Sequence, residues 1–180
     1  MRSERGFPDS CTEALVAPRR DSRDNLVGMT VENEQLIKET FGRGFDNALG
    51  LRLLEVGEDR VVATLELSAT HHQPFGIVHG GVYCAIAEST ASISAFTWLQ
   101  ATGIGGTAVG VNNNTDFIKS VSTGTITVTT SPVHRGRRQQ LWRVAITDAD
   151  DRLIASSQVR LQNIELPEGA GLPTAPTSGA

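Results

Sequence analysis

Glu88 is the one Asp, Glu, Lys or Arg between Gly76 and Asp116, set in the small and apolar run His79-Gly80-Gly81-Val82-Tyr83-Cys84-Ala85-Ile86-Ala87-Glu88-Ser89. A carboxylate carried through such sequence loses hydration, which proteins tolerate when the group is paired or used. Gly80 and Gly81 stand at the start of the run. If it is helical, their amides are unpaired donors at its positive end, suited to an oxyanion, and glycine lets a carbonyl approach the main chain without meeting a Cβ. A carboxylate and an oxyanion donor together suit a site that acts on a carbonyl. Gly80 and Glu88 are eight residues apart, roughly 12 Å along a helix, too far to act on one carbonyl. Two antiparallel copies of the helix across a two-fold axis would set the amide of one subunit against the carboxylate of the other.

The elements that position these groups follow from periodicity. Val82, Ile86 and Ile93 cluster on one side of the helical run from His79 to Leu99, roughly 120–160° from Glu88, and are expected to face a sheet. Gly80, Cys84, Glu88 and Ser92 recur every four residues on the opposing side, a small and polar stripe that invites a second protein surface. A short leading helix is predicted over Leu36–Phe41, with a further turn from Phe45 to Leu49. Strands are predicted over Leu51–Val56 and Arg60–Leu67 around a hairpin at Gly57-Glu58-Asp59, and the polar loop Ser68–Val78 leads into the helix. Four more follow: Thr107–Ile118, Gly124–His134, Gln139–Asp148 and Leu153–Ile164, the last two joined through Asp148-Ala149-Asp150-Asp151. The pattern is α+β, one domain with an antiparallel sheet covering one long helix.

Composition narrows the function classes. The chain has 180 residues, 39% of them hydrophobic, and a net charge of −4. It lacks the general basic field that nucleic acid or an anionic membrane surface demands. Glu88 and the many Ser and Thr argue against a transmembrane helix. The two cysteines, Cys11 and Cys84, show no metal or C-x-x-C spacing, and a reduced cytoplasmic setting is expected. Residues 1–29 mix acidic and basic side chains without a signal-like apolar core and read as a disordered extension; Met29 could serve as an alternative start. Residues 166–180 read as a disordered tail, leaving 30–165 as the working domain.

Gln73-Pro74-Phe75-Gly76-Ile77-Val78-His79-Gly80-Gly81, followed by Ala87-Glu88-Ser89, resembles the hotdog-fold acyl-CoA thioesterases. The resemblance is to the branch that contains 4-hydroxybenzoyl-CoA thioesterase with a catalytic Glu and 1,4-dihydroxy-2-naphthoyl-CoA hydrolase. It runs over the whole working domain, including Asn112 to Ser120 and His134-Arg135-Gly136-Arg137-Arg138-Gln139-Gln140-Leu141-Trp142. The resemblance implies a hotdog fold, an antiparallel sheet wrapped around one central helix, forming at least a homodimer and by further pairing a homotetramer. It implies that Glu88 is the nucleophile or general base, that Gly80 supplies the amide polarising the thioester carbonyl, and that His79 and Gln73 place substrate and water. Gly81 and Ser92 would sit beside the substrate. No metal and no separate cofactor are implied, since coenzyme A is part of the substrate. Thioesterases of the phenylacetate pathway carry Asp in place of Glu88, a departure that favours aryl or related acyl groups.

Coenzyme A brings a pyrophosphate and a 3′-phosphate, which need cations at the pocket mouth. His134, Arg135, Arg137 and Arg138 form the densest basic cluster of the working domain, with Lys119 and Ser120 as weaker companions. Asn112-Asn113-Asn114 is unusual in a strand and either lines the acyl pocket, with Asn112 as the candidate, or marks a bulge. His71 and His72 lack a ligand partner at metal spacing and are expected to face solvent. Cys84 is explained by small-residue packing. Two other functions fit the fold. A hotdog 3-hydroxyacyl dehydratase also pairs a His with a helix Glu, but His79-Gly80-Gly81 departs from the His-Phe-Pro-Gly pattern of that group. A non-catalytic acyl-CoA-binding regulator would need a DNA-reading domain that residues 1–29 are too short to form.

Overall fold

The computed structural model describes residues 31–41 and 43–166. The expected extension over 1–29 lies outside this range, as do Cys11 and residues 167–180 of the expected tail. Helix α1 spans Val31–Phe41 and α2 spans Gly44–Leu49, ending on Gly50 in the left-handed region. Strands β1 (Arg52–Val56) and β2 (Val61–Glu66) follow, then α3 (Gly80–Ala101), and then β3 (Thr107–Phe117), β4 (Thr125–Arg135), β5 (Gln139–Thr147) and β6 (Leu153–Ile164). The six strands form one sheet in the order β1-β2-β4-β5-β6-β3, antiparallel throughout. Predicted element boundaries agree to within a few residues, except that α1 begins five residues earlier than the leading helix read from Leu36.

Alternation explains how the sheet holds the helix. Ile126 and Val128 on β4, and Trp142, Val144 and Ile146 on β5, point inward and are fully buried with Ile86, Ala87 and Ala91 of α3. Val82, Ile86 and Ile93 are buried as their spacing predicts. The helix also buries the hydroxyls of Thr90 and Ser94, and both find partners inside the fold. Thr90 Oγ1 donates back to the Ile86 carbonyl at 2.7 Å, and Ser94 Oγ lies 2.7 Å from Thr130 Oγ1 on β4.

The Gly80-Cys84-Glu88-Ser92 stripe is where the structure departs from the periodic reading. The sheet curls until its edge strand β3 reaches this side of α3. Gly80 meets the Phe117 ring, the Cys84 carbonyl accepts from Asn113, and Glu88 lies against Gly110 and Asn113. All four stripe residues are half-buried, so β3 covers this side of the helix only in part. A helical wheel assigns faces relative to a flat neighbour, whereas a twisted sheet wraps more than one face.

Candidate active site

The N-terminus of α3 is built from its preceding loop. Gln73 and Gly76 close a turn, with the Gly76 amide donating to the Gln73 carbonyl at 2.9 Å, and Gln73 Oε1 accepts from the Phe75 amide at 3.2 Å. The Val78 amide donates to the Val121 carbonyl, which joins this loop to the segment after β3. His79 is the N-cap: its Nδ1 accepts from the Gly81 amide at 2.9 Å, so the neutral ring carries its proton on Nε2. This corrects the expectation of two free glycine donors. The Gly81 amide is occupied by the cap, whereas the Gly80 N–H has no partner among the described residues. Gly80 is required sterically as well. A Cβ there would stand 2.6 Å from the Phe117 ring, which in turn packs 5.9 Å from that of Tyr83. Burial pushes the Tyr83 phenol up, and its hydroxyl has no partner among the described residues.

Glu88 lies two turns further on, its carboxylate seated on β3. Asn113 Nδ2 donates to Glu88 Oε2 at 3.1 Å and to the Cys84 carbonyl at 2.9 Å. Glu88 Oε1 occupies the space where a side chain on Gly110 would begin. Gly110 and Asn113 share a face because β3 bulges between them: Gly110 pairs with Leu161 and Asn112 with Arg160, which leaves Val111 unpaired. Of the two readings of the Asn run, the bulge is present. It sends Asn112, an expected pocket residue, to the exposed face and turns Asn113 toward the helix. Ser89, next to Glu88, donates to Asp46 Oδ1 at 2.6 Å and ties α2 to α3. Burial raises the Asp46 carboxyl, and the Ser89 hydroxyl only partly offsets this.

The remaining expected residues fall at both ends of α3. Ser92 is half-buried one turn beyond Glu88, while Lys119 and Ser120 are exposed near the Gly80 end. The basic cluster lies at the opposite end. Arg135 sits 5.6 Å from the Trp98 ring and donates to Asp59 Oδ1 at 2.6 Å and to the Glu58 carbonyl, so its charge is already engaged. His134, Arg137 and Arg138 are exposed at the β4–β5 turn. One protomer therefore does not bring the basic cluster to Gly80. His71 corrects an expectation: it is buried, its Nδ1 accepting from the Ser68 amide at 3.0 Å and its Nε2 donating to the Leu49 carbonyl at 2.8 Å. His72 is half-buried and donates to the Ser122 carbonyl. Among the described residues no cluster of three or more His, Cys, Asp or Glu has metal-binding geometry.

Comparison with known proteins matches residues 75–155 to the model of a family described as the thioesterase superfamily. Rv1847 of Mycobacterium tuberculosis, named as a candidate esterase, is 56% identical over 121 residues, 67% of this chain and 86% of that protein. The chain belongs to the thioesterase superfamily. The 1,4-dihydroxy-2-naphthoyl-CoA hydrolase of Listeria monocytogenes is 32% identical over 115 residues, 64% of this thioesterase chain and 91% of that one. The solved structure of Rv1847 superposes with a TM-score of 0.66 at 54% identity, covering 68% of this chain and 98% of that one. Thioesterase HI1161 of Haemophilus influenzae superposes with a TM-score of 0.69 at 30% identity, covering 79% and 96%. The sheet wrapped around α3 is thus the hotdog fold expected from the sequence, and the chain is a thioester hydrolase by family. Gly110 and Asn113 are contacts of the Glu88 carboxylate that sequence reasoning did not single out. Asn113 carried a signal in the Asn run, readable only once the bulge is known, whereas Gly110 carried none.

Proposed function

We propose that this protein hydrolyses the thioester of an aromatic or medium-chain acyl-CoA to free acid and coenzyme A. The observation that carries the reading is the pairing, on one helix, of a Gly80 N–H without a partner among the described residues with a half-buried Glu88 carboxylate held by Asn113. A thioester is already activated, so the protein needs only to stabilise charge on the carbonyl oxygen and deliver an attacking oxygen. Gly80 N–H is the donor to that oxygen. Glu88 either attacks the carbonyl carbon, expelling the coenzyme A thiolate and leaving a mixed anhydride that water cleaves, or takes the proton of a water that attacks directly. His79 and Gln73 border the same end of the helix, where they place substrate and water, and Gly81 and Ser92 lie beside its path. No separate cofactor enters either route, and the reaction belongs in the cytoplasm with neither nucleic acid nor membrane as partner. No helix among the described residues is long and apolar enough to cross a membrane.

The working unit in this proposal is a homodimer at least, with further pairing into a homotetramer. Gly80 and Glu88 of one chain stand roughly 12 Å apart along α3, so a second copy must supply one of them. What supports this is β3, which among the described residues is an edge strand paired only with β6 and carries the exposed side chains Val109 and Val111. An unpaired edge of this kind is a template for a second strand, and a two-fold axis there would run the two α3 helices antiparallel. That arrangement also brings the His134, Arg137 and Arg138 end of one helix toward the Gly80 end of the other, where coenzyme A phosphates would need it.

Thiol release from benzoyl-CoA, hexanoyl-CoA and 1,4-dihydroxy-2-naphthoyl-CoA, read with a chromogenic trap beside crotonyl-CoA hydration, tests the reading. Hydrolysis of at least one thioester, lowered at least ~100-fold by Glu88→Gln in a folded protein, is the expected result. Hydration without thiol release would make the protein a dehydratase, and tight binding without either reaction would make it a regulator. Sedimentation of a fully active monomer would sink the shared site.

A further inference from the structure

We propose that Asn113 is a positioning residue for Glu88, fixing the carboxylate on β3 through its side-chain amide, with Gly110 leaving the room in which the carboxylate sits. The proposal rests on the reading of Glu88 as the reacting carboxylate and adds the group that aims it. Three contacts settle which way the Asn113 amide faces. The Cys84 carbonyl can only accept, so it must meet the NH2 at 2.9 Å; the Thr115 hydroxyl donates to Asn113 Oδ1 at 2.7 Å; the same NH2 then reaches Glu88 Oε2 at 3.1 Å. Thr115 is itself placed by Ser157 of β6 at 2.9 Å. The carboxylate is thus the end of a chain of hydrogen bonds rooted in the centre of the β3–β6 pair. Glu has three rotatable side-chain bonds, and without a donor beneath it the carboxylate would sample several rotamers above a half-open helix face. A reacting group misplaced by about 1 Å loses on the order of 100-fold in rate, which is the scale on which such a seat acts.

The alternative is that Asn113 merely ties β3 to α3 through the Cys84 carbonyl. The experiment must separate the two. Turnover of benzoyl-CoA or hexanoyl-CoA, whichever the wild type hydrolyses faster, is measured as kcat and KM. The proteins are wild type, Glu88→Gln, Asn113→Leu, Asn113→Asp, Thr115→Val, Thr115→Ser and the Glu88→Gln/Asn113→Leu double variant, each with its melting midpoint. Asn113→Asp keeps the shape of the side chain and sets a second carboxylate where the donor was, so it carries the test even if Asn113→Leu does not fold. The expected result is a fall in kcat of ~10–100-fold for both Asn113 variants with KM within ~3-fold, and a smaller fall for Thr115→Val that Thr115→Ser restores. The double variant should be no slower than Glu88→Gln alone, because a seat has nothing to do once its carboxylate is gone. If Asn113→Leu slows Glu88→Gln by the same factor as it slows the wild type, or if Asn113→Asp turns over normally, the proposal falls while Glu88 keeps its role. If Glu88→Gln itself turns over normally, the reading of Glu88 falls and the proposal with it.

Discussion

Gly110 and Glu88 share one space: a methyl group on Gly110 would coincide with Oε1 of the Glu88 carboxylate. The glycine is therefore a condition for the carboxylate to rest on β3 at all. Gly110→Ala is expected to displace Glu88 from Asn113 and to lower kcat at least ~10-fold. Its effect on the melting midpoint should be small, since the group that moves is a half-buried side chain. A crystal structure of the variant with Glu88 still bonded to Asn113, together with normal turnover, would count against the arrangement.

The N-cap role of His79 and the substrate-placing role proposed for it are separable. As N-cap it accepts from the Gly81 amide, and His79→Ala should cost about 1 kcal/mol of stability, whereas His79→Asn should keep the cap and the stability. If the imidazole also orients substrate, turnover falls in both variants. Denaturant titration beside kcat/KM gives the two readings, and an Asn variant that is stable and fully active would confine His79 to capping.

Tyr83 carries a buried hydroxyl without a hydrogen-bond partner among the described residues. Tyr83→Phe removes a desolvated polar group and keeps the ring contact with Phe117, so it should raise stability by about 1 kcal/mol. A loss of stability on urea unfolding would mean that the hydroxyl finds a partner in the assembled protein.

Asp148 ties the β5–β6 turn. Burial pushes its carboxyl up, but the Arg152 and Asp150 amides and the Arg152 guanidinium outweigh this and hold it below the ordinary 3.8. Between the folded value and 3.8 the unfolded chain binds more protons, so the charge stabilises the fold above that window and the benefit is lost as pH falls through it. Asp148→Asn should therefore melt lower than wild type at pH 7, with the gap closing below about pH 4. Melting curves at the two pH values check the sign; a constant gap would contradict it.

Much of this protein was legible in its residues. The 3.6-residue spacing of Val82, Ile86 and Ile93 sufficed to place a buried helix, and period-two alternation in β4 and β5 gave the strands that cover it, because burial of apolar side chains is decided locally by which positions share a face. Glu88 stood out as a candidate by the cost of carrying a charge through such sequence, and Gly80 by the open main chain a glycine offers; their roles belong to the proposal.

Two things could come only from the tertiary structure. Whether both glycine amides are free depended on where His79 turned its ring, and Nδ1 took Gly81. What lies beneath Glu88 depended on a strand some twenty residues downstream, brought onto the helix by sheet curvature and shifted in face by the single unpaired residue Val111. One-residue offsets exchange the two faces of a strand, so the choice between Asn112 and Asn113 is invisible to pattern and is made by pairing with β6.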